Sequence, residues 1–346
     1  MTPFDTPFAL PASPEPLEPA QASGPLRDAR GRVKRKLRVS LTDRCNFRCR
    51  YCMPEQPAWL PKKELLSRDE LVQLAGLFVD QGITAIRVTG GEPLLRRDAV
   101  ECVAALSALR ARGLARLSLT TNGSRLATLA PALRDAGLDD VNVSIDALDP
   151  ARFRTLRGGE LAPVLEGIAA AQAAGLRLKL NTVLIRGQND REILPLVEWA
   201  KARGIPLRFI EYMPLDAPGN WSREQVVAEA EVLIALRQGY TVTRLARGKE
   251  PAEEILLDGH YRLGLVSTIS NPFCSSCDRL RLTARGELYT CLFAQAGPAL
   301  GAQLRAGASR AQLLATIRAA VWNKQAGYVA LNRPVERPVL MHGLGG

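Results

Sequence analysis

Short apolar runs with β-branched residues recur along the chain, at Leu37–Leu41, Ile83–Val88, Leu117–Thr121, Val141–Ile145, Leu178–Leu184 and Leu207–Ile210. Runs of this length predict strands. Amphipathic stretches of helical length lie between them. Ser67-Arg68-Asp69-Glu70 predicts a capping box ahead of LVQLAGLFVD, because a serine hydroxyl accepts from the amide three residues on while the glutamate reaches back. Asp98 to Arg112, Leu126 to Ala136, Pro163 to Ala174 and Asp190 to Arg203 fit helices too. Gly82, Gly113, Gly137, Gly175 and Gly204 stand just past helical stretches, where a left-handed stop is expected. Six successive βα units predict a parallel sheet with right-handed crossovers, curled into a partial barrel or doubly wound.

This rhythm stops after Met213. Residues 216–262 are charged and mixed, with a helix expected at Arg223–Gln238. Short strands are expected around Leu263–Ile269, Arg279–Thr283 and Glu287–Cys291, and a helix at Arg310–Lys324. The chain therefore divides into three. Residues 1–33 hold seven of the 23 prolines and read as a disordered tail. Residues 34–215 form the βα body. Residues 216–346 form a smaller appended α+β domain that covers the open side of the barrel.

Composition narrows the class. Hydrophobic residues at 47% and charged residues at 23% match a globular chain and exclude a mainly disordered one. Its 346 residues suit two domains or one large barrel. No run of 18 apolar residues predicts a transmembrane helix. The start, MTPFDTPFALPASPEP, lacks the basic and apolar regions of a secretory signal, so a cytoplasmic protein is expected. A net charge of +11 fits a solvated basic surface, a nucleic-acid partner or a polyanionic small substrate such as a nucleotide. Aromatic residues at 5% disfavour a nucleic-acid binder. Only His260 and His342 are present, which disfavours a His-based triad or a His-rich zinc site.

Cysteine carries the chemistry. The seven fall at 45, 49 and 52, at 102, and at 274, 277 and 291. An odd number without a secretion signal argues against a disulfide framework. Cys102, between Glu101 and Val103 in a helix, reads as a core residue. Cys45, Cys49 and Cys52 form C-x3-C-x2-C with no histidine near to complete a zinc site. Three thiolates on a four-iron cube leave one iron open to a substrate; a zinc site or a buried cysteine cluster is the alternative. Cys274, Cys277 and Cys291 form C-x2-C-x13-C, for which a zinc knuckle competes more strongly. TDRCNFRCRYC, TGGEP, TTNG, SIDALD and EYMP each follow an expected strand. Catalytic groups gather at C-terminal strand ends in parallel barrels, so one rim should carry one shared site. Arg279 and Arg281 alternate along a strand and share a face. Arginine forks there suit phosphate or a purine edge.

The first triplet with Tyr51 before its last cysteine, together with Gly90-Gly91-Glu92-Pro93, resembles the radical S-adenosylmethionine superfamily. In that context bare glycine backbone lets the cofactor's methionine ammonium approach closely. RVSLTDRCNFRCRYCMP, TGGEPLLR, TTNG, NVSIDALD, FIEYMP, NPFCSSCDRLRLT and the terminal Gly345-Gly346 together resemble the GTP 3′,8-cyclase family of molybdenum cofactor biosynthesis, from about Lys34 to the C-terminus. The resemblance implies an α/β fold, a partial (βα)6 TIM-like barrel closed by the C-terminal segment. It implies a lyase that converts GTP to (8S)-3′,8-cyclo-7,8-dihydro-GTP. A first [4Fe-4S] cluster on Cys45, Cys49 and Cys52 would bind S-adenosyl-L-methionine, with Tyr51, Gly91, Asn122, Ser144 and Met213 as contacts. A second [4Fe-4S] cluster on Cys274, Cys277 and Cys291 would bind GTP through its free iron. Arg38, Arg87, Thr120 (or the adjacent Thr121), Lys179, Arg279, Leu280 and Arg281 would contact GTP. Arg279, Arg281, Gly345 and Gly346 would be catalytic, the Gly-Gly tail reaching into the site. The resemblance also implies a one-electron donor of flavodoxin or ferredoxin type, a downstream cyclic pyranopterin monophosphate synthase, a monomer or homodimer, and neither nucleic acid nor membrane as partner. Two features depart from the family pattern. The first 33 residues match none of it, and Asp278 stands where asparagine is expected, adding a negative charge beside the GTP site. The rival is a peptide-modifying radical enzyme with an auxiliary cluster, which would carry more than three cysteines in its C-terminal part.

Overall fold

The structure, a computed structural model, describes residues 24–54, 56–215, 221–248, 250–327 and 341–345. Six strands joined by helical crossovers open it: β1 (Lys36–Ser40), α1 (Arg68–Asp80), β2 (Ala85–Thr89), α2 (Ala99–Ser107), β3 (Arg116–Thr121), α3 (Leu126–Asp135), β4 (Asp140–Ser144), α4 (Pro150–Arg157), α5 (Ala162–Ala173), β5 (Arg177–Leu184), α6 (Ile193–Ala202) and β6 (Leu207–Glu211). β1 to β6 pair in chain order, all parallel. The capping box at Ser67 forms as predicted, Ser67 Oγ accepting from the Glu70 amide.

The C-terminal segment adds α7 (Glu229–Arg237), β7 (Val242–Arg244), β8 (Glu253–Leu257), β9 (Tyr261–Val266), β10 (Arg279–Leu282), β11 (Leu288–Tyr289), α8 (Leu300–Arg305), α9 (Arg310–Trp322) and α10 (Met341–Leu344). Its strands lengthen the same sheet at both edges. β9 runs parallel beside β6, and β10 parallel beside β1. The result is an open eleven-stranded sheet in the order β11-β10-β1-β2-β3-β4-β5-β6-β9-β8-β7. Eight of its strands are parallel.

Several local expectations shift. Residues 24–33 belong to the folded body rather than to a tail: Leu26 and Asp28 are buried, and Arg27 bridges to Val33. Hydropathy patterning does not register this segment because it is held by ion pairs, Asp28 with Arg32 and Lys34. Residues 1–23 lie outside the described residues. The helix expected over Arg223–Gln238 breaks into a short 3-10 turn and α7, because Val226 leaves the helix to bridge Ile185. α4 has a polar composition that hides it in the sequence; Asp149 caps it and Gly158, at φ +61°, stops it.

Alternation along the strands sorts the sheet's two faces. Leu37, Val39, Ile86, Val88, Leu117, Leu119, Val141, Val143, Leu180 and Phe209 belong to the main apolar cluster with helix residues such as Leu74 and Phe78. Each such side chain contributes about 1.5–3 kcal/mol by leaving water. The alternate positions are Arg38, Arg87, Ser118, Asp140, Asn142, Lys179, Arg208 and Arg281. A closed parallel barrel fills this inner face with bulky aliphatic side chains. Here it is polar and mainly cationic, a composition that suits a bound polyanion.

Candidate active site

The first cysteine loop leaves β1 and rests on the glycine pair after β2. The Gly91 amide donates to Thr42 O at 2.9 Å and the Glu92 amide to Arg44 O at 2.7 Å. A Cβ at Gly90 would lie 2.2 Å from Thr42 O, and one at Gly91 2.4 Å from Asp43 O. Gly90 also adopts φ +136°. Bare backbone is thus required first by the chain's own packing. Glu92 is fully buried; its carboxylate accepts from Thr121 Oγ1 at 2.7 Å, the Asn122 amide at 2.7 Å and the Leu94 amide at 3.0 Å. Burial pushes its carboxyl up. Glu92 thereby locks the end of β2 to TTNG after β3. Asn122 Nδ2 donates to Asn46 at 2.9 Å and lies 3.9 Å from Cys45 Sγ, so this predicted residue does stand beside the thiol triad.

A triplet of two buried side chains and the half-buried Tyr51 supports the same loop. Tyr51 donates to Asp146 Oδ2 at 2.6 Å, and Arg157 donates to both, at 2.7 and 2.6 Å. The Arg48 amide donates to Arg157 O, and the guanidinium faces the rings of Phe47 and Phe153. The Tyr51 hydroxyl therefore positions the loop. Asp146 and Arg157 were not picked out in the sequence, although Asp146 lies in SIDALD at a strand end. Removing one partner of a buried ion pair costs about 3–5 kcal/mol. R157M should lower the stability of the apoprotein by that amount, read as a lower denaturation midpoint, whereas Y51F should cost about 1 kcal/mol.

Burial, then the neighbouring Cys49, pushes the Cys45 thiol up to about 11; burial raises Cys49 as well. The second triad differs. Cys274 begins a 3-10 turn, Cys277 ends it just before β10, and Cys291 lies two residues past β11. Burial alone would raise Cys277, but Lys324, Arg279 and Lys34 bring it down to about 6. The thiolate is the reacting form, and the lowered pKa makes it the main form at neutral pH. In the apoprotein, alkylation of Cys277 by iodoacetamide should switch on as pH rises through about 6, while Cys45 should stay unreactive until well above 9, as peptide mapping would show.

Among the described residues no three His, Cys, Asp or Glu side chains converge to hold one metal ion. Each triad offers thiols, the donor set of iron–sulfur clusters, whose irons each take one thiolate. The triads stand at opposite ends of the strand axis. Cys45, Cys49 and Cys52 follow the C-terminal end of β1, whereas Cys277 precedes the N-terminal end of its parallel neighbour β10. β11 is antiparallel to β10, which returns Cys291 to that same N-terminal end.

Between the ends lies the cationic inner face. Arg281, Arg38, Arg87, Ser118 and Asp140 follow one another across the sheet, as do Thr120, Asn142 and Lys179. Burial, then Arg281, Arg87 and Arg279, holds Arg38 well below its ordinary value. Burial brings Arg87 down to about 10 and lowers Lys179 and Arg208. Arg38, Arg87, Lys179 and Arg208 make no side-chain hydrogen bond or salt bridge with another described residue. Buried Asn142 has no partner on either polar atom. An anion entering here would relieve like-charge crowding and satisfy these groups together.

The remaining predicted residues separate clearly. Thr120 shares the inner face, while Thr121 is spent on Glu92. The Leu280 side chain is fully buried in the apolar core, so only its backbone can face a ligand. Arg279 lies over the Phe273 ring at 4.6 Å. Asp278 pairs with Lys36 at 3.3 Å, so its charge is partly offset within the protein. Ser144 ends β4 beside Asn181, and Met213 follows β6. Arg281 donates to Gly345 O, and a Cβ at Gly345 would lie 2.3 Å from Thr89 Cγ2 and 2.8 Å from Ser40 Oγ. The tail thus enters at the ends of β1 and β2 where only glycine fits; Gly346 lies outside the described residues. Two further residues escaped the sequence reading. Arg208 sits in LRFIE, taken as an apolar strand, and its alternation was the available signal. Glu211 accepts from the Ile269 and Ser270 amides at 2.7 and 2.9 Å, fixing the turn ahead of Cys274.

The Radical SAM superfamily model matches residues 39–200, and the Molybdenum Cofactor Synthesis C model matches 205–330. A protein of Streptomyces coelicolor named GTP 3′,8-cyclase is 47% identical, with 93% of this chain and 96% of that protein covered. Its namesake in Paracoccus denitrificans is 45% identical, with 89% and 90% covered. The solved structure of Streptococcus suis SuiB bound to precursor peptide SuiA superposes with a TM-score of 0.60 at 14% identity, covering 90% of this chain and 76% of that one; this likeness is one of fold. No helix among the described residues is long and apolar enough to cross a membrane. Identity of this order along nearly the whole chain, spanning both cysteine triads, places the chain in the GTP 3′,8-cyclase family of the radical S-adenosylmethionine superfamily.

Proposed function

We propose that this chain converts GTP to (8S)-3′,8-cyclo-7,8-dihydro-GTP, the first step of molybdenum cofactor biosynthesis. The observation that carries this reading is the cationic inner face set between two separate thiol triads. Cys45, Cys49 and Cys52 would hold a [4Fe-4S] cluster and, with Tyr51, Gly91, Asn122, Ser144 and Met213, S-adenosylmethionine; Cys274, Cys277 and Cys291 would hold a second cluster for GTP. When bound, the first cluster and S-adenosylmethionine supply the electron and the hydrogen-abstracting radical chemistry.

The protein's own part is to place GTP. Arg38, Arg87, Thr120, Lys179, Arg208, Arg279 and Arg281 surround the nucleotide and offset its phosphate charge. The triads at opposite ends of the strands set the ribose between its two anchors, and fixed proximity is the largest contribution such a site makes. Gly345 closes the rim through Arg281, keeping water from the reacting carbon; Gly346 is proposed to act with it. Supply of electrons by a flavodoxin- or ferredoxin-type donor and use of the product by a cyclic pyranopterin monophosphate synthase complete the reading. A peptide substrate is not favoured, because three C-terminal cysteines leave room for one auxiliary cluster and the inner face suits phosphate.

Charge-assisted hydrogen bonds contribute about 1.5–3 kcal/mol each, roughly ten- to a hundredfold in binding. R87A and R208A should each raise KM for GTP by that factor. Their uncoupled S-adenosylmethionine cleavage should remain at the parent level. An unchanged KM in both would remove the inner face from the GTP site.

A further inference from the structure

The segment before β1 meets the second cysteine triad through a cluster of buried charges. Asp28 and Lys34 are fully buried, Lys324 is 2% exposed and Arg32 9%. Asp28 Oδ2 accepts from Arg32 Nε at 2.6 Å and Lys34 Nζ at 2.7 Å; Asp28 Oδ1 accepts from the Arg30 and Arg32 amides at 3.0 Å. The cations then reach the cysteine loops through backbone carbonyls. Lys34 donates to Cys277 O at 2.9 Å, and Arg32 to Cys274 O at 2.7 Å and Gln325 O at 2.7 Å. Lys324 donates to Arg279 O at 3.3 Å and to Thr290 O, the residue before Cys291. A Cβ at Gly327 would lie 2.5 Å from Cys274 Cβ, so α9 and its extension press on the triad as well.

The charges do not balance. Arg32 and Lys34 share one carboxylate, and Lys324 reaches no carboxylate among the described residues. A buried cation without an anion is costly to keep charged. The hydrogen bonds of these cations reach the carbonyls of Cys274, Cys277 and Thr290, so an anionic cluster on the three cysteines would be the charge set against them. Hydrogen bonds and net charge around a cluster set its reduction potential, and outer partners orient its ligands.

We infer that Asp28, Arg32, Lys34 and Lys324 form a cationic clamp that shapes the second cysteine triad and holds the negative charge of its cluster. Lys34 and Lys324 are positioning residues that govern how tightly that cluster is retained and at what potential it accepts an electron. This rests on the reading that Cys274, Cys277 and Cys291 carry a cluster. A positive charge nearby favours the reduced, more negative state, so removing it lowers the potential.

The test uses the full chain with Cys45, Cys49 and Cys52 changed to alanine, reconstituted anaerobically with iron and sulfide, so that only the second centre is read. This parent should hold about four irons. K324M in the same background should release iron to a chelator about tenfold faster or more, with a midpoint potential shifted to lower values in an EPR-monitored titration. K324R should restore both. If K324M lacks the parent's circular dichroism, R32K, which keeps the charge but loses the fork on Cys274 and Gln325, carries the test through its iron-release rate. Release rate and potential unchanged in K324M, or release rate unchanged in R32K where that variant carries the test, would overturn the clamp while leaving the cluster in place. A parent that binds no iron would overturn the cluster reading itself.

Discussion

Alanine at Cys45, Cys49 or Cys52 reduces 5′-deoxyadenosine formation to background, whether or not GTP is present. The expectation follows from the donor set. The loop offers three thiols, one for each of three irons of a four-iron cluster. Losing one leaves an iron without protein support, and a partly held cluster is lost rather than weakened. The loop itself should survive. Its position is fixed by Glu92, Asn122 and the Tyr51–Asp146–Arg157 triplet through hydrogen bonds that do not need a cysteine side chain. Circular dichroism like the parent's, with iron content halved, separates loss of the cluster from loss of the fold.

Alanine at Cys274, Cys277 or Cys291 gives a different result. Cyclisation disappears while uncoupled cleavage of S-adenosylmethionine persists at a substantial fraction of the parent rate. The two triads are held by different elements: β1, β2 and β3 support the first, whereas the segment before β1, β10 and the end of α9 support the second. Damage at one end of the strands has no direct path to the other. Parallel assays of 5′-deoxyadenosine and the cyclised product by liquid chromatography read both activities. Equal loss of both in the second set would contradict the division of labour.

Much of this was legible in the chain because the chemistry lies in contiguous motifs. The two cysteine triplets, the glycine pair and the alternating Arg279 and Arg281 are local patterns, and periodicity located all six βα units. What stayed hidden depends on contacts distant in sequence. The partnership of Asp146 with Tyr51 and Arg157 spans about a hundred residues. Asp28 looked like part of a proline-rich tail until Lys34 and the second cysteine loop closed around it. The C-terminal strands read as a separate domain because a single sequence does not reveal that β9 and β10 pair with β6 and β1, strands from the other part of the chain. The glycine pair has a packing reason that the sequence did not show: Thr42 and Asp43 carbonyls occupy the space a side chain would need.

The most direct test is anaerobic reconstitution of the unmodified chain with iron and sulfide, followed by iron analysis and assay of 5′-deoxyadenosine with and without GTP. Two four-iron clusters predict about eight irons per chain, and a site built for GTP predicts 5′-deoxyadenosine formation that rises sharply when GTP is added. About four irons with zinc in the second triad, or cleavage indifferent to GTP, would contradict the account.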